Sequence, residues 1–212
     1  FTSLSDIKNV LGIDKYLHQE GLAHRFMPVE AVAYYKDAGG VFVDGSYELL
    51  MADDISWGNL NDPNVAVDPE SRRSVLFVKQ AYMRLAQTLV NSKRKAEAVA
   101  VLDKCLEFFP NDKIPYDILM MTYPEIYYAA GATDKGDAFM NTMLENCKDN
   151  LRYYYELEVP FIMYYRENIY ENLAILDKIK SIATKYKRND IRVEATDAFN
   201  EENARFYPYF SR

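Results

Sequence analysis

Only two cysteines, Cys105 and Cys147, occur in 212 residues. That is too few for a disulfide framework, and neither belongs to a CxxC pair that would suit zinc or redox chemistry. Buried thiols are the expectation, since a bridge would require the two to sit on adjacent helices with matched side-chain directions. Histidine is equally scarce. His18 and His24 stand six apart across Gly21 with no HExxH, which gives a metal no plausible ligand set. No GxSxG, P-loop or GxGxxG occurs, and Gly39, Gly40 and Gly45 lie in a turn-rich stretch unlike a phosphate cradle, so no cofactor is expected. There is no long apolar run either: VPFIMYY at 159–165 falls far short of the ~20 residues of a spanning helix, so this segment is not expected to insert into a membrane. Positive charge is in deficit. The net charge of -7 opposes electrostatic binding to nucleic-acid phosphates or anionic lipid headgroups. The chain opens FTSLSD without an initiator methionine or a basic-then-apolar leader, so a processed chain or an excised fragment is expected.

What is present is aromatic and helical. The chain carries 18 tyrosines and 11 phenylalanines, several doubled, as in Tyr34-Tyr35, Tyr127-Tyr128, Tyr153-Tyr154-Tyr155 and Tyr164-Tyr165. A chain this long buries roughly 70% of the surface its unfolded form exposes, enough for one or two cores without staples. Residues 5–19 suggest two short helices broken at Gly12. LAHRFMPV (22–29) and VFV (41–43), flanking the turn-like DAGG, suggest a pair of strands. Asp44 is a candidate cap for a helix through SYELLMADDI, and WGNLNDPN (57–64) suggests an ordered loop.

Beyond residue 66 the pattern becomes helical without linkers. Asp68-Pro69-Glu70 combines a capping carboxylate, a first-turn proline and an acid at the positive dipole end. Val75, Val78, Tyr82, Leu85, Ala86 and Leu89 then follow the helical period. Further helices are expected over about 93–108, over 115–130 with a kink at Pro124, over 133–146, over 161–187, and from Asp190. These changes divide the chain into an α+β capping segment, 1–66, and a helical domain, 67–212.

RLAQTLVNSKRKAEAVAVLDKCLEFFP, residues 84–110, carries a finer signal. Together with Tyr82, the positions Leu85, Ala86, Leu89, Ala98, Leu102, Cys105 and Pro110 match the large, small and proline positions of a tetratricopeptide repeat of about 34 residues. Small residues let the two helices of a hairpin approach while large ones fill between them. A weaker copy begins about 38 residues on, through Met120, Tyr123, Pro124, Tyr127, Gly131, Gly136, Met140 and Met143. Pro124 and Gly136 depart from the pattern. The fold class is therefore mainly α: tetratricopeptide-like antiparallel hairpins in a right-handed α-α superhelix, closed by flanking segments because two units are fewer than a stable solenoid requires. The tyrosines and methionines are expected to fill gaps between irregular helix pairs.

In such a stack the first helices line a concave face. By position that face comprises Gln80, Met83, Gln87, Asn91, Ile118, Met121, Glu125 and Tyr128, a mixed apolar and amide surface suited to a peptide partner. The competing expectation is that C-terminal helices fill it. Other candidate chemistry is thin. Asn59, Asn61 and Asp62 fit turn capping better than a calcium loop, whose closing glutamate is missing. Glu156 and Glu158 among tyrosines could suggest a carbohydrate-binding or carbohydrate-cleaving module, which is the alternative reading.

Four segments together, LGIDKYLHQEGLAHRFMPV, GVFVDGSYELLM, WGNLNDPNVAVDPESRR and FFPNDKIPYDILMMTYPEIYYAAG, resemble the soluble C-terminal tail of a large family of bacterial multi-pass membrane proteins. That tail is a domain of unknown function, and the family's N-terminal half resembles protein O-mannosyltransferases, which use a lipid-linked sugar. The resemblance covers nearly the whole chain. It implies a non-catalytic tail on the periplasmic side of the inner membrane, following transmembrane helices absent here. Its partner would be a protein or peptide acceptor or the membrane-embedded part of the same protein. The family's acidic catalytic residues belong to upstream loops, so no catalytic residue is implied in this sequence.

Overall fold

The computed structural model describes residues 13–30, 40–62 and 64–210. The first of the two helices expected about Gly12 and most of the DAGG turn lie outside the described residues. The fold is mainly helical with a small three-stranded sheet. It divides into two compact units, Phe1–Ile114 and Pro115–Arg212. The boundary expected after residue 66 therefore falls inside the first unit.

In the first unit a 3-10 turn, Asp14–Tyr16, leads into β1 (Leu17–Glu20), β2 (Ala23–Phe26) and β3 (Gly40–Val41). The expected helix over residues 17–19 is a strand. Leu17 and Gln19 point inward while their neighbours are half-exposed, the period of two that defines a strand face. The two strands expected to pair with each other both exist, but β1 lies between them. It is antiparallel to β2, with Gln19 opposite His24, and parallel to β3, with Gln19 opposite Val41. Gly21, at φ 61, supplies the left-handed residue of the β1–β2 turn.

Helix α1 (Val43–Leu50) begins one residue before Asp44, which does not cap it. Asp44 instead accepts from Arg94 Nη1 at 2.6 Å. Helix α2 (Pro69–Asn91) starts as expected: Asp68 Oδ1 accepts from the amides of Glu70 and Ser71 at 2.9 and 3.1 Å. Helix α3 (Lys95–Phe108) folds back on α2 after a short turn in which Lys93 adopts φ 65. Tyr82, Leu85, Ala86, Leu89, Ala98, Leu102 and Cys105 are all fully buried.

The N-terminal segment belongs to this hairpin because the hairpin satisfies its polar groups. Tyr82 Oη donates to Leu50 O at 2.8 Å, and the buried Gln19 amide donates to Ala81 O at 3.0 Å. Lys104 Nζ caps the carbonyls of Met51 and Ala52, and Lys113 Nζ that of Val65. Trp57, in the expected loop, packs on Phe108 and Phe109. Ala98 is 0% exposed, so Ala98→Leu is expected to cost about 1–3 kcal/mol by overpacking the α2–α3 seam. Urea unfolding checks this, and a wild-type midpoint would contradict it.

In the second unit a 3-10 segment, Ile118–Thr122, precedes α4 (Tyr123–Ala130). The helix expected through residues 115–130 is therefore not one kinked helix. Pro124 sits in the first turn of α4, where its missing N–H leaves no intrahelical bond unmade. Gly131, at φ 91, closes α4 with its amide bonded back to Tyr127 and Tyr128 carbonyls. Helix α5 (Thr133–Tyr155) runs two turns beyond the expected end. The single helix expected over 161–187 is two, α6 (Val159–Tyr164) and α7 (Arg166–Lys185), followed by α8 (Asn189–Phe210). Helices α5, α7 and α8 pack together through Met140, Met143, Leu151, Ile169, Leu176, Ile179 and Ala195. Each cysteine is a buried free thiol, and burial pushes that of Cys147 up to about 12. No helix among the described residues is long and apolar enough to cross a membrane.

Candidate partner-binding site

The eight positions expected to form a peptide face have different fates in the two units. On α2 the spacing of Gln80, Met83, Gln87 and Asn91 keeps all four on one stripe. The first three are half-buried and Asn91 is exposed, so none is absorbed into the core formed by the opposite stripe of the helix. Gln87 Nε2 donates to Asn91 Oδ1 at 3.3 Å, leaving further amide donors and acceptors for another chain.

The second unit is less open. Ile118 is exposed on the 3-10 segment, but Met121 is 3% exposed and part of the core. Met121 is therefore not available as a contact residue, because its side chain, like that of Met120, is buried in the core. Glu125 is ion-paired with Lys185, and Tyr186 Oη reaches the Glu125 carbonyl at 3.5 Å. Tyr128 Oη donates to Asp137 Oδ1 at 2.7 Å, and its ring stacks on Tyr186 with centroids 4.6 Å apart. Asp137 also receives both prongs of the Arg188 guanidinium. Burial, then the bond to Asp137, raises the Tyr128 hydroxyl well above the usual tyrosine range. Residues 185–188 thus engage Glu125 and Tyr128, and the competing expectation of a covered face holds for these two side chains.

The same contact explains Gly136, the departure from the repeat pattern. A Cβ at Gly136 would lie 2.7 Å from Tyr128 Cε1 and 2.9 Å from its Cζ. The ring cannot easily yield, being held by Tyr186 on one face and Asp137 at its hydroxyl. Glycine here is the space that the Tyr128 lock occupies.

The other candidates resolve into local structure. His24 sits opposite Gln19 in the β1–β2 register, so His18 lies on the other face of the sheet and the two cannot converge on one ion. His18 Nε2 is 3.2 Å from Val29 O, and His24 Nε2 is 3.2 Å from Arg84 Nη1. No group of three or more metal-ligating side chains occurs among the described residues. Asp62 Oδ1 accepts from the amide and side chain of Asn64, the turn-capping role. Glu156 and Glu158 are exposed on the turn between α5 and α6.

The aromatic excess has two destinations. Tyr82, Tyr123 and Tyr127 fill cores, as expected. Tyr153, Tyr155, Phe161, Tyr164 and Tyr207 are instead exposed in the second unit. The tyrosine runs carried a signal for this: successive helical residues point about 100° apart, so a run of three cannot all face one core.

No family model, curated protein or solved structure matches the chain.

Proposed function

We propose that this chain is a non-catalytic, tetratricopeptide-like scaffold that binds a protein or peptide partner. On this reading its hairpins belong to a right-handed α-α superhelix, and it serves as the periplasmic tail of a glycosyltransferase-like membrane protein. The observation that carries the binding role is the α2 stripe of Gln80, Met83, Gln87 and Asn91. Amides can pair with an extended backbone, while a methionine adapts to varied side chains. Such a site binds weakly alone, and attachment to a membrane enzyme raises the effective concentration of a captured acceptor. The four segments that resemble the membrane-protein tail support the location and the attachment.

The exposed tyrosines favour one second reading, a carbohydrate-binding module, because Tyr153 and Tyr155 are exposed and adjoin the exposed Glu156 and Glu158 in sequence. Pull-down from membranes with the full-length protein and with a form lacking this domain separates the two. Loss of acceptor proteins on deletion supports the scaffold. Unchanged acceptor capture, with glycan binding by the isolated chain, supports the second reading.

A further inference from the structure

Helix α6, VPFIMY, carries no charge, yet Ile162 alone of its 6 residues is buried. A helix that is apolar on every side is ordinarily covered on every side. Here Val159, Phe161 and Met163 are about half exposed and Tyr164 is 78% exposed. The helix crosses one end of the α5, α7, α8 bundle. Asp137 pairs with Arg188 and Asn150 with Asn172, so α7 runs antiparallel to α5, while Arg166 lies over the Phe210 ring at 5.6 Å, which brings the start of α7 to the end of α8. A chain of rings, Tyr153 to Tyr154 to Tyr165 to Tyr164, with centroids 5.6, 5.2 and 5.1 Å apart, carries the patch from α6 onto α5.

The composition of this end is that of a protein interface rather than of bare surface. No lysine occurs between Lys148 and Lys178, and the cations there are Arg152 and Arg166. Interfaces are enriched in aromatics, methionine and arginine and depleted in lysine. At about 200 Å² for a whole aromatic side chain, the exposed parts of Tyr153, Val159, Phe161, Met163 and Tyr164 amount to roughly 500 Å². With a charged rim this approaches the about 800 Å² that each partner buries in a stable complex. The rim carries both signs: Glu156, Glu158 and Glu167 are exposed, as is Arg166, and none of the four is in an ion pair among the described residues. Three bare carboxylates and the lack of lysine disfavour a bilayer surface as the cover. A surface with both signs around an apolar centre can instead match itself.

We propose that α6 is the centre of an isologous dimer interface. In a second copy of this chain the same helix packs antiparallel across a twofold axis, apolar patch on apolar patch. Glu158 precedes α6 and Arg166 follows it, at opposite ends of a helix about 9 Å long. The antiparallel arrangement therefore sets Arg166 of each copy beside Glu158 of the other. This surface is separate from the α2 stripe, and the dimer does not depend on peptide binding there.

The test is sedimentation equilibrium of the 212-residue chain over a range of concentrations. The mass is expected to rise from one chain to two. Tyr164→Ala is expected to weaken association about tenfold or more, as for an aromatic at the centre of an interface. Its melting temperature at low concentration, where the chain is monomeric, should match the wild type, because the side chain is exposed. Arg166→Glu and Glu158→Arg should each lose self-association about tenfold, since each sets like charges face to face. An equimolar mixture of these two variants is expected to recover it, because both facing pairs then have opposite signs. A single-chain mass up to about 1 mM, association unaffected by Tyr164→Ala, or a mixture no more associated than its components would overturn the proposal. So would a monomeric chain that binds phosphatidylcholine vesicles or glycans through Tyr164, which would assign the patch to a membrane or a sugar.

Discussion

Tyr82→Ala is expected to destabilise the first unit by about 3–5 kcal/mol, the range for removing a fully buried aromatic side chain. Tyr82 is 0% exposed, and its hydroxyl ties α2 to the end of α1 through Leu50 O. Burial raises that hydroxyl above the usual tyrosine range, as a donor held in an apolar surround should show. The sole tryptophan, Trp57, packs on Phe108 and Phe109 in the same unit, so its fluorescence follows this unit alone during urea unfolding. Tyr82→Phe is expected to lose only the hydrogen bond, about 1 kcal/mol. Equal losses for the two substitutions would mean that packing at Tyr82 is not what joins the N-terminal segment to the hairpin.

Gly136→Ala is expected to destabilise the second unit by about 1–3 kcal/mol through overpacking against Tyr128. This sign is informative, because glycine-to-alanine inside a helix ordinarily stabilises by about 1 kcal/mol. The cause is the 2.7 Å approach of the added Cβ to the Tyr128 ring. In a Tyr128→Ala background the clash is absent, so the same substitution should become neutral or stabilising. A double-mutant cycle read by hydrogen exchange in α4 and α5 measures this coupling. Additive effects would show that Tyr128 and Gly136 do not share one lock.

The two sites also show where sequence reasoning succeeds and where it stops. The α2–α3 hairpin was legible because its signals agree at every level: Asp68 caps, Pro69 enters the first turn, and the apolar period runs unbroken to Leu89. The central strand was not, since LHQE is four residues whose amphipathic period is too short to distinguish strand from helix. Pro124 stands out in the sequence, but a proline in a helical pattern fits either a kink or a first turn, and here it occupies the first turn of α4. The unit boundary at Ile114 was hidden as well. It depends on hydrogen bonds such as Gln19 to Ala81 that join residues far apart in sequence.

For the candidate site the contrast is sharper. The α2 stripe follows from helical spacing, and Gln80, Met83, Gln87 and Asn91 lie where that spacing puts them. The corresponding residues of the second unit depend on what packs over them. Nothing in the sequence near Glu125 and Tyr128 names Lys185, Tyr186 and Arg188 as their partners. Helical spacing predicts which face of a helix a residue occupies, but tertiary structure decides whether that face stays open.

The proposed binding role therefore rests on α2. Its most direct test is to pan a library of displayed extended peptides against the immobilised chain, then compare wild type with a variant in which Gln80, Met83, Gln87 and Asn91 are all alanine. Because these side chains lie outside the core, the variant is expected to keep the wild-type Trp57 unfolding transition. It should bind the enriched peptides about tenfold or more weakly, since several amide hydrogen bonds are lost together. Equal affinity for wild type and variant, with the fold intact in both, would contradict a peptide-binding role for this face.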